Sequence, residues 1–214
     1  MRLYSSLLLT IALLFPGLAS AAGSIMFDRN GNGVPDIRFG EAQDGGGTDN
    51  ANIVSYDNDE DGTYDFGFLS GGNVHNDGEI YAAWIDRNGN GSVQKNEVRT
   101  LPWTLPWATF PSSFTVTHVT NPNGSIDHFM DYTEDDAMFD QLDRDADGDG
   151  AIESMTLGLL AEGSGVSQAL LQLRDTNNDG FFDKLFFLPE VGDEVLISFT
   201  KAQQRHLSVL HYPQ

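Results

Sequence analysis

The chain lacks cysteine and is poor in basic residues. Without a single cysteine among its 214 residues, neither disulfides nor thiolate metal sites can stabilise the fold. Eleven Lys and Arg residues stand against 32 Asp and Glu residues, and the formal net charge is −21. A charge of that size repels nucleic acid and anionic membrane surfaces. We therefore expect neither of these as a partner.

The usual signatures of catalysis are also missing. The five histidines are scattered without the spacing of zinc ligands. His118 and His128 are interpreted as ordinary surface residues, with an approach to each other across a hairpin as the alternative. No G-x-S-x-G nucleophile elbow occurs, and the Gly-Ser-Gly at 163–165 is simply a turn sequence. A secreted hydrolase would need an acid such as Glu162 or Glu190 paired with another titratable group. We expect a protein that is not an enzyme.

The only long hydrophobic run lies at the N-terminus. A basic Arg2, an apolar run at 7–15 and small residues at 19–21 predict a secretory signal peptide over 1–21. A retained membrane anchor is the alternative. The remaining chain, 22–214, is expected to form a single domain, either secreted or periplasmic, with no membrane span after cleavage.

What the sequence does contain is a series of oxygen-bearing side chains at alternate positions beside glycine. The clearest case is the stretch 84–99, WIDRNGNGSVQKNEVR, which fits a twelve-residue calcium loop with glycine at position 6 for the sharp turn. Calcium is a hard cation that takes six to eight oxygens at about 2.3–2.6 Å. Asn-Gly-Asn-Gly is also an ordinary turn sequence. The predicted calcium ligands are Asp86, Asn88, Asn90, the Ser92 carbonyl and Glu97.

Related loops recur at intervals of about 30 residues. Loops begin at Asp28, Asp57 and Asp86, each 29 residues after the last. A weaker unit follows at 119–127, where a valine occupies the first ligand position, and the sixth begins at Asp175. Regular self-similarity of this kind predicts about six units and strengthens the calcium interpretation.

The fifth unit, LDRDADGDGAIE, can be aligned in two registers. It can begin at Asp143 or at Asp145. We favour Asp145, because that register places Ile152 at the apolar position 8 and Glu153 at the acidic position 9. Asp143 would then be an extra outer ligand.

The pattern DxDxDGxxD followed by a strand resembles the calcium loops of FG-GAP/VCBS repeats and of thrombospondin type 3 repeats, and the third unit alone resembles an EF-hand. In the FG-GAP pattern, ligands fall at positions 1, 3, 5, 7 (a carbonyl) and 9. Carried over to this chain, the resemblance implies the side-chain ligands Asp28, Asn30, Asn32, Asp36, Asp57, Asp59, Asp61, Asp65, Asp145, Asp147, Asp149, Glu153, Asp175, Asn177, Asp179 and Asp183.

The units depart from these families in ways that bear on the fold. Only the third has the position-12 glutamate of an EF-hand, and six units would make too few propeller blades to close a ring. Short runs of Phe, Ile, Val and Leu bounded by Gly, Asn and Asp predict strands. We predict a mainly β, repeat-built antiparallel array, sandwich-like or partial propeller-like, with calcium loops at strand turns. Short helices are expected at 92–99 and from Thr133 to Leu142.

These features predict a secreted calcium-binding protein whose loaded loops stabilise a β-repeat fold in a structural, adhesive or surface-associated role. The alternative is a carbohydrate-binding or accessory module that uses Trp103 and Trp107 in the proline-rich stretch 101–114. The candidate partners are calcium, an extracellular polysaccharide and a surface protein.

Overall fold

The computed structural model describes residues 25–43, 50–70, 79–106, 114–131, 138–161, 170–188 and 195–213. They form two antiparallel sheets of six and seven strands that do not close into a barrel. The predicted mainly β fold is confirmed. The predicted signal peptide, the 107–113 part of the tryptophan stretch, Glu162, the 163–165 turn and Glu190 lie outside the described residues.

Sheet I takes the first half of the chain as a simple meander, so that strands adjacent in sequence are also adjacent in the sheet. Its strands are β1 (Ile25–Phe27), β2 (Ile37–Gln43), β3 (Asn50–Tyr56), β4 (Phe66–Ser70), β5 (Glu79–Ile85) and β6 (Val98–Pro106).

Sheet II takes the second half of the chain and has the same topology. Its strands are β7 (Thr115–Thr120), β8 (Ile126–Asp131), β9 (Met138–Asp145), β10 (Ser154–Ala161), β11 (Leu170–Arg174), β12 (Lys184–Leu188) and β13 (Val195–Ser198).

One apolar core joins the two sheets and makes the molecule a sandwich. Side chains point alternately to opposite faces of a strand, and those of Phe39, Tyr56 and Phe68 from sheet I share a buried cluster with Leu157 and Phe187 from sheet II. Each such burial stabilises the fold by roughly 1.5–3 kcal/mol.

Six turns lie at one end of the sandwich, because alternate turns of a meander fall on the same side. They are loop 1 (28–36), loop 2 (57–65), loop 3 (86–97), loop 4 (121–125), loop 5 (145–153) and loop 6 (175–183). Successive loops of one sheet are two strands apart, which is about 10 Å. The predicted calcium loops are therefore brought together in two rows.

The C-terminal segment (206–212) fastens the two rows to each other. Main-chain hydrogen bonds of 2.8–3.1 Å connect it to loops 5 and 6, including Ile152 N–H to the Leu210 carbonyl and Phe182 N–H to the Leu207 carbonyl. From sheet I, the side-chain amide of Asn58 in loop 2 donates to the Ser208 carbonyl at 2.7 Å. Loops from both sheets thus share one strap of backbone.

The helix predicted at 92–99 was wrong, because residues 95–97 form only a turn before β6 begins at Val98. Of the helix predicted from Thr133 to Leu142, residues 138–142 belong to β9, and residues 133–137 lie outside the described residues. The helix α1 (Lys201–Gln204) has four residues, and Thr200 N–H donates to Gln203 Oε1 at 3.0 Å at its start. Within the described ranges, no helix is long and apolar enough to cross a membrane.

Candidate metal sites

Five of the six turns share one backbone conformation. Positions 4 and 6 of loops 1, 2, 3, 5 and 6 all have positive φ, the left-handed region that favours glycine. Glycine fills every position 6 and three of the five positions 4. Glu60 and Asn178 hold position 4 at φ 57° and 56° in loops 2 and 6. The sharp turn directs successive side chains toward the inside of the loop.

The position-1 aspartate closes each of these five turns. One of its carboxylate oxygens accepts the N–H of the position-6 glycine, at 2.5–2.9 Å. Its other oxygen accepts an N–H from position 4 or 5, at 2.6–3.3 Å. The five aspartates are Asp28, Asp57, Asp86, Asp145 and Asp175.

Loop 5 contains the larger of two carboxylate clusters found among the described residues. Asp145, Asp147, Asp149 and Glu153 each place an oxygen within 4.8 Å of the others. Glu153 Oε2 accepts the Ala146 N–H, whereas Glu153 Oε1 is buried without a hydrogen-bond partner. Burial and the charges of Asp145 and Asp147 raise the pKa of Glu153. The four groups form an acidic cavity that could hold a cation.

The turn of loop 5 begins at Asp145. Gly150 N–H donates to Asp145 Oδ2, as the position-6 glycine does in the other loops. Asp143 lies two residues earlier in β9, where its carboxylate accepts hydrogen bonds from Gln141 at 2.7 Å and Arg29 at 3.3 Å. The structure thus pairs Asp143 with a guanidinium and an amide in the protein interior.

Loop 2 contains the second carboxylate cluster. Asp57, Asp59 and Asp61 place oxygens within 4.8 Å of one another. Asp65 lies beside this group, is 8% exposed and leaves its Oδ2 atom buried without a partner. Burial, then the charges of Asp59, Asp57 and Asp61, raise the pKa of Asp65 to about 8. Burial and the charges of Asp59 and Asp61 raise the pKa of Asp57 to about 7.

Loop 3 closes on a glutamate at position 12 rather than on an acid at position 9. Glu97 Oε1 accepts the Arg87 N–H at 3.0 Å and the Asn88 side-chain amide at 3.2 Å. Glu97 is 3% exposed, and its Oε2 atom is buried without a partner. The fully buried Asp86 holds the start of the loop. Asn90 Oδ1 accepts the N–H of the exposed Ser92 at 2.9 Å.

Loop 1 differs from the other loops because its last acid, Asp36, is already paired with a cation of the protein, Arg29. Both oxygens of the buried Asp36 accept hydrogen bonds from Arg29, one from its backbone N–H at 2.9 Å and one from its side-chain Nε. The same guanidinium reaches Asp143 in sheet II and Asn58 in loop 2. Asp36, a predicted ligand, is therefore part of a buried ion pair that ties the sheets together.

Glu60 of loop 2 orients the two asparagines of loop 1. The side-chain amides of Asn30 and Asn32 each donate to the Glu60 carboxylate at 2.7 Å. With their NH₂ groups directed at Glu60, the oxygens point into loop 1, where Asn32 N–H donates to Asn30 Oδ1 at 3.1 Å. The arrangement presents oxygens toward the position that a cation would take.

Loop 6 brings its ligand candidates together less completely. Asp183 accepts hydrogen bonds from the Thr176 N–H at 2.9 Å and from its hydroxyl at 2.8 Å. Asn177 Oδ1 accepts the Asp179 N–H at 3.0 Å, and Asp179 forms an exposed ion pair with Lys201 at 3.4 Å. Among the described residues, clusters of three or more carboxylates occur in loops 2 and 5.

Loop 4 contains no carboxylate cluster within the described residues. Asp127, which follows it, accepts two hydrogen bonds from Arg144, at 2.6 and 3.0 Å, and one from the Asn121 side chain at 3.0 Å. Burial alone would raise the pKa of Asp127, but the hydrogen bonds from Arg144 and Asn121 lower it below its usual value. The Arg144 guanidinium thus neutralises the carboxylate beside this turn.

The prediction of two surface histidines was wrong for His128, whereas His118 is exposed. His118 and His128 face each other across β7 and β8, with 2.6 Å between their Nδ1 atoms. His128 is buried, and its ring stacks on Tyr212 with 3.6 Å between centroids. Burial and the proximity of His118 lower the pKa of His128 to about 4. The pair helps to hold the C-terminal segment against sheet II.

Sequence reasoning missed the polar residues that organise the loops from outside. Arg29 and Arg144 both follow an aspartate in the hydrophobic-Asp-Arg sequences that lead into loops 1 and 5. That shared lead-in was the available signal, but it did not reveal which carboxylates the arginines reach. Trp103 lies on β6, although its side chain is outside the described part of the structure, as is Trp107.

No family model matches the chain, and no curated protein or solved structure matches it either. What the loops can bind is therefore inferred from their geometry and charge.

Proposed function

We propose that the protein binds Ca²⁺ in the loops at one end of the sandwich and that the bound cations complete its fold. The observation that carries this proposal is loop 5, where four carboxylates lie within 4.8 Å of one another. Like charges so close repel strongly in a partly buried site. A divalent cation would turn that repulsion into attraction.

Orphaned oxygens in the loops support the same conclusion. Buried polar atoms normally have a hydrogen-bond partner, yet Asp65 Oδ2, Glu97 Oε2 and Glu153 Oε1 have none. All three belong to the acid that closes its loop, at position 9 or position 12. A cation bound inside the loop would satisfy each of them.

The ligand chemistry favours calcium over other metals. The loops offer carboxylate, amide and backbone oxygens, and the chain has no cysteine. Oxygen-only sites suit Mg²⁺, Ca²⁺ and Mn²⁺. Mg²⁺ requires near-ideal octahedral geometry at about 2.0–2.1 Å, whereas Ca²⁺ accepts six to eight ligands in flexible arrangements. Irregular loops that differ in their closing acid fit the larger ion better.

Hydrogen bonds between loops would spread the effect of each cation. Asp57 N–H donates to the Asp36 carbonyl at 2.9 Å, and Asp86 N–H donates to the Asp65 carbonyl at 2.6 Å. In sheet II, Asp175 N–H donates to the Glu153 carbonyl at 2.8 Å. The first residue of one loop is thus held by the last acid of the loop before it, so ordering one loop helps to order the next.

The role that we propose is structural, adhesive or surface-associated and lies outside the cytoplasm. Extracellular calcium modules commonly bind at roughly 10⁻⁴–10⁻³ M, so the loops would fill after export and stabilise a chain that has no disulfides. Loops 2 and 5 carry the carboxylate clusters of this end, which becomes less negative as cations bind. That end is the surface we expect to face a polysaccharide or a surface protein.

Isothermal titration of the EDTA-treated protein with CaCl₂ tests the proposal. We expect several calcium sites per chain. The Asp147→Asn variant, which alters loop 5, should lose the largest part of the heat of calcium binding. Asn123→Ser in loop 4 is the matched control and should leave the titration unchanged. Absence of calcium heat, or equal heat from MgCl₂ at the same concentration, would contradict the proposal.

A further inference from the structure

Basic residues concentrate around one cleft of this acidic molecule. Of the eleven Lys and Arg residues, five lie in the short segments 87–99 and 201–205. A cleft of about 580 Å³ between loop 3 and α1 is lined by Arg87, Arg99, Arg205 and His206. Its other lining residues carry no charge. A positive cleft is unexpected on a chain with a formal net charge of −21.

The three arginines of this cleft have no acidic partner among the described residues. The ion pairs found among the described residues are formed by Arg29, Arg144 and Lys201 instead. Like charges that converge without a counter-charge repel one another. A guanidinium is a planar donor suited to carboxylate and phosphate groups. The cleft therefore has the chemistry of an anion site.

An apolar cavity continues from the cleft into the core. It has a volume of about 270 Å³, lies between the sheets and shares Arg87, Arg99 and Gln203 with the cleft. Deeper in, its walls include Phe68 from sheet I and Leu185 from sheet II. A cavity of about 150 Å³ can take benzene, so by proportion this one would take roughly ten carbon atoms.

We propose that the cavity and the cleft together bind a free single-chain anionic amphiphile, such as a medium-chain fatty carboxylate. The chain lies between the sheets, where it removes apolar surface from water. The head group accepts hydrogen bonds from the arginines at the entrance. This inference does not rest on the calcium proposal, because the three arginines are not predicted calcium ligands. Of the residues that line the site, Glu97 in the cavity and Asn88 in the cleft are predicted ligands.

Titration calorimetry with decanoate tests the site, with calcium held in constant excess for every protein so that the calcium response does not enter the comparison. We expect one decanoate per chain. Decanol, which lacks the charge, and acetate, which lacks the chain, should each bind much more weakly. Equal affinity for decanoate and either of these probes would overturn the proposal, as would the absence of decanoate binding.

Variants separate the two halves of the site. Arg99→Gln and Arg205→Gln should each weaken decanoate binding by about tenfold or more, because each removes a charge-assisted hydrogen bond. Lys95→Gln makes the same change of charge at an exposed residue that lines neither cavity, and it should leave the affinity unchanged. If all three variants bind decanoate like the original protein, the arginine cleft is not the site.

Filling the cavity gives an independent check. Ala83 lies in β5 on the cavity wall, and Ala83→Leu should occupy part of the space that the chain would take. We expect weaker decanoate binding with a melting temperature that is unchanged or higher, which shows that the fold persists. Undiminished decanoate binding in this folded variant would contradict the placement of the chain between the sheets.

Discussion

Loops 4 and 5 are neighbouring turns of the same sheet, yet they balance their charge in opposite ways. In loop 5, four carboxylates converge within 4.8 Å of one another. At loop 4, the single carboxylate of Asp127 is held by the Arg144 guanidinium through two hydrogen bonds. Both turns close an antiparallel hairpin. Under the proposed calcium binding, the turn at loop 4 is balanced by an arginine of the protein, whereas the carboxylate cluster of loop 5 takes a cation from solution.

The same contrast divides sheet I. In loop 1 the last acid, Asp36, forms an ion pair with Arg29. Loop 2 contains five acidic residues in nine positions. Loop 1 is also supplied with asparagine oxygens in place of carboxylates. We therefore expect loops 2 and 5 to depend most on the metal, and loops 1 and 4, whose acids pair with Arg29 and Arg144, to depend on it least.

The largest effect is expected from the position-1 aspartate of loop 5. Asp145→Ala removes a fully buried carboxylate that accepts the N–H groups of Gly148 and Gly150. Loss of two charge-assisted hydrogen bonds should lower the free energy of unfolding in calcium by about 3 kcal/mol or more. Urea unfolding with calcium and with EDTA measures this. An equal loss in the two buffers would show that Asp145 acts without a cation.

Removing the internal cation of loop 4 should have a smaller effect that does not depend on calcium. Arg144→Gln leaves Asp127, whose side chain is 8% exposed, without its charged partner. Since the Arg144 side chain is 48% exposed, solvent weakens the pair, and we expect a loss of about 1–2 kcal/mol. Arg144→Lys, which keeps the charge, should lose less. A loss seen only in calcium would break the contrast between the two loops.

The two kinds of loop should also respond oppositely to pH. The pKa of Asp65 is raised to about 8, so the folded metal-free protein holds a proton there that the unfolded chain has lost. Stability in EDTA must therefore fall as pH rises toward 8. The pKa of Asp127 is lowered, so its contribution is present above its unfolded pKa and is lost as pH falls through the folded pKa.

Urea unfolding in EDTA between pH 7 and pH 8 measures the loop 2 effect. In that range His128 is largely neutral in both states, since its pKa is about 4 when folded against an ordinary value of 6.5. Asp65→Asn should flatten the slope. Saturating calcium should also flatten it, since the cation replaces the proton. If the stability of the original protein in EDTA does not change between pH 7 and pH 8, the raised pKa of Asp65 is contradicted.

The smallest expected effect is the difference in stability between two glycine variants, which reports the contact between loops 4 and 5. Gly148 has φ +82°, and a Cβ atom there would lie 2.8 Å from the Gly124 carbonyl oxygen. Gly31 occupies the same position in loop 1 with φ +73° and open space around it. Both alanine variants should lose about 1–2 kcal/mol for the left-handed backbone, and Gly148→Ala should lose more. Equal melting temperatures would show that the two loops do not constrain each other.

The turns were more predictable from sequence than the contacts around them. Glycine at position 6 and oxygen side chains at alternate positions are local requirements, so the spacing located all six turns. The partners of Arg29 and Arg144 were not predictable, because Arg29 reaches Asp143 across 114 residues of sequence. Strand β9 was mistaken for a helix, since Thr133 and the acids after it resemble a helix start although tertiary pairing with β8 and β10 decides the outcome. Which sheet each hairpin joins depends on such pairing too.

Thermal unfolding followed by circular dichroism tests whether calcium completes the fold. The protein is melted in excess EDTA, in millimolar Ca²⁺ and in millimolar Mg²⁺. We expect a large rise in melting temperature that is specific to calcium, because a cation that binds only the folded loops stabilises them by mass action. The same melting temperature in all three buffers would mean that the acidic loops are ordinary turns, and the calcium proposal would fail.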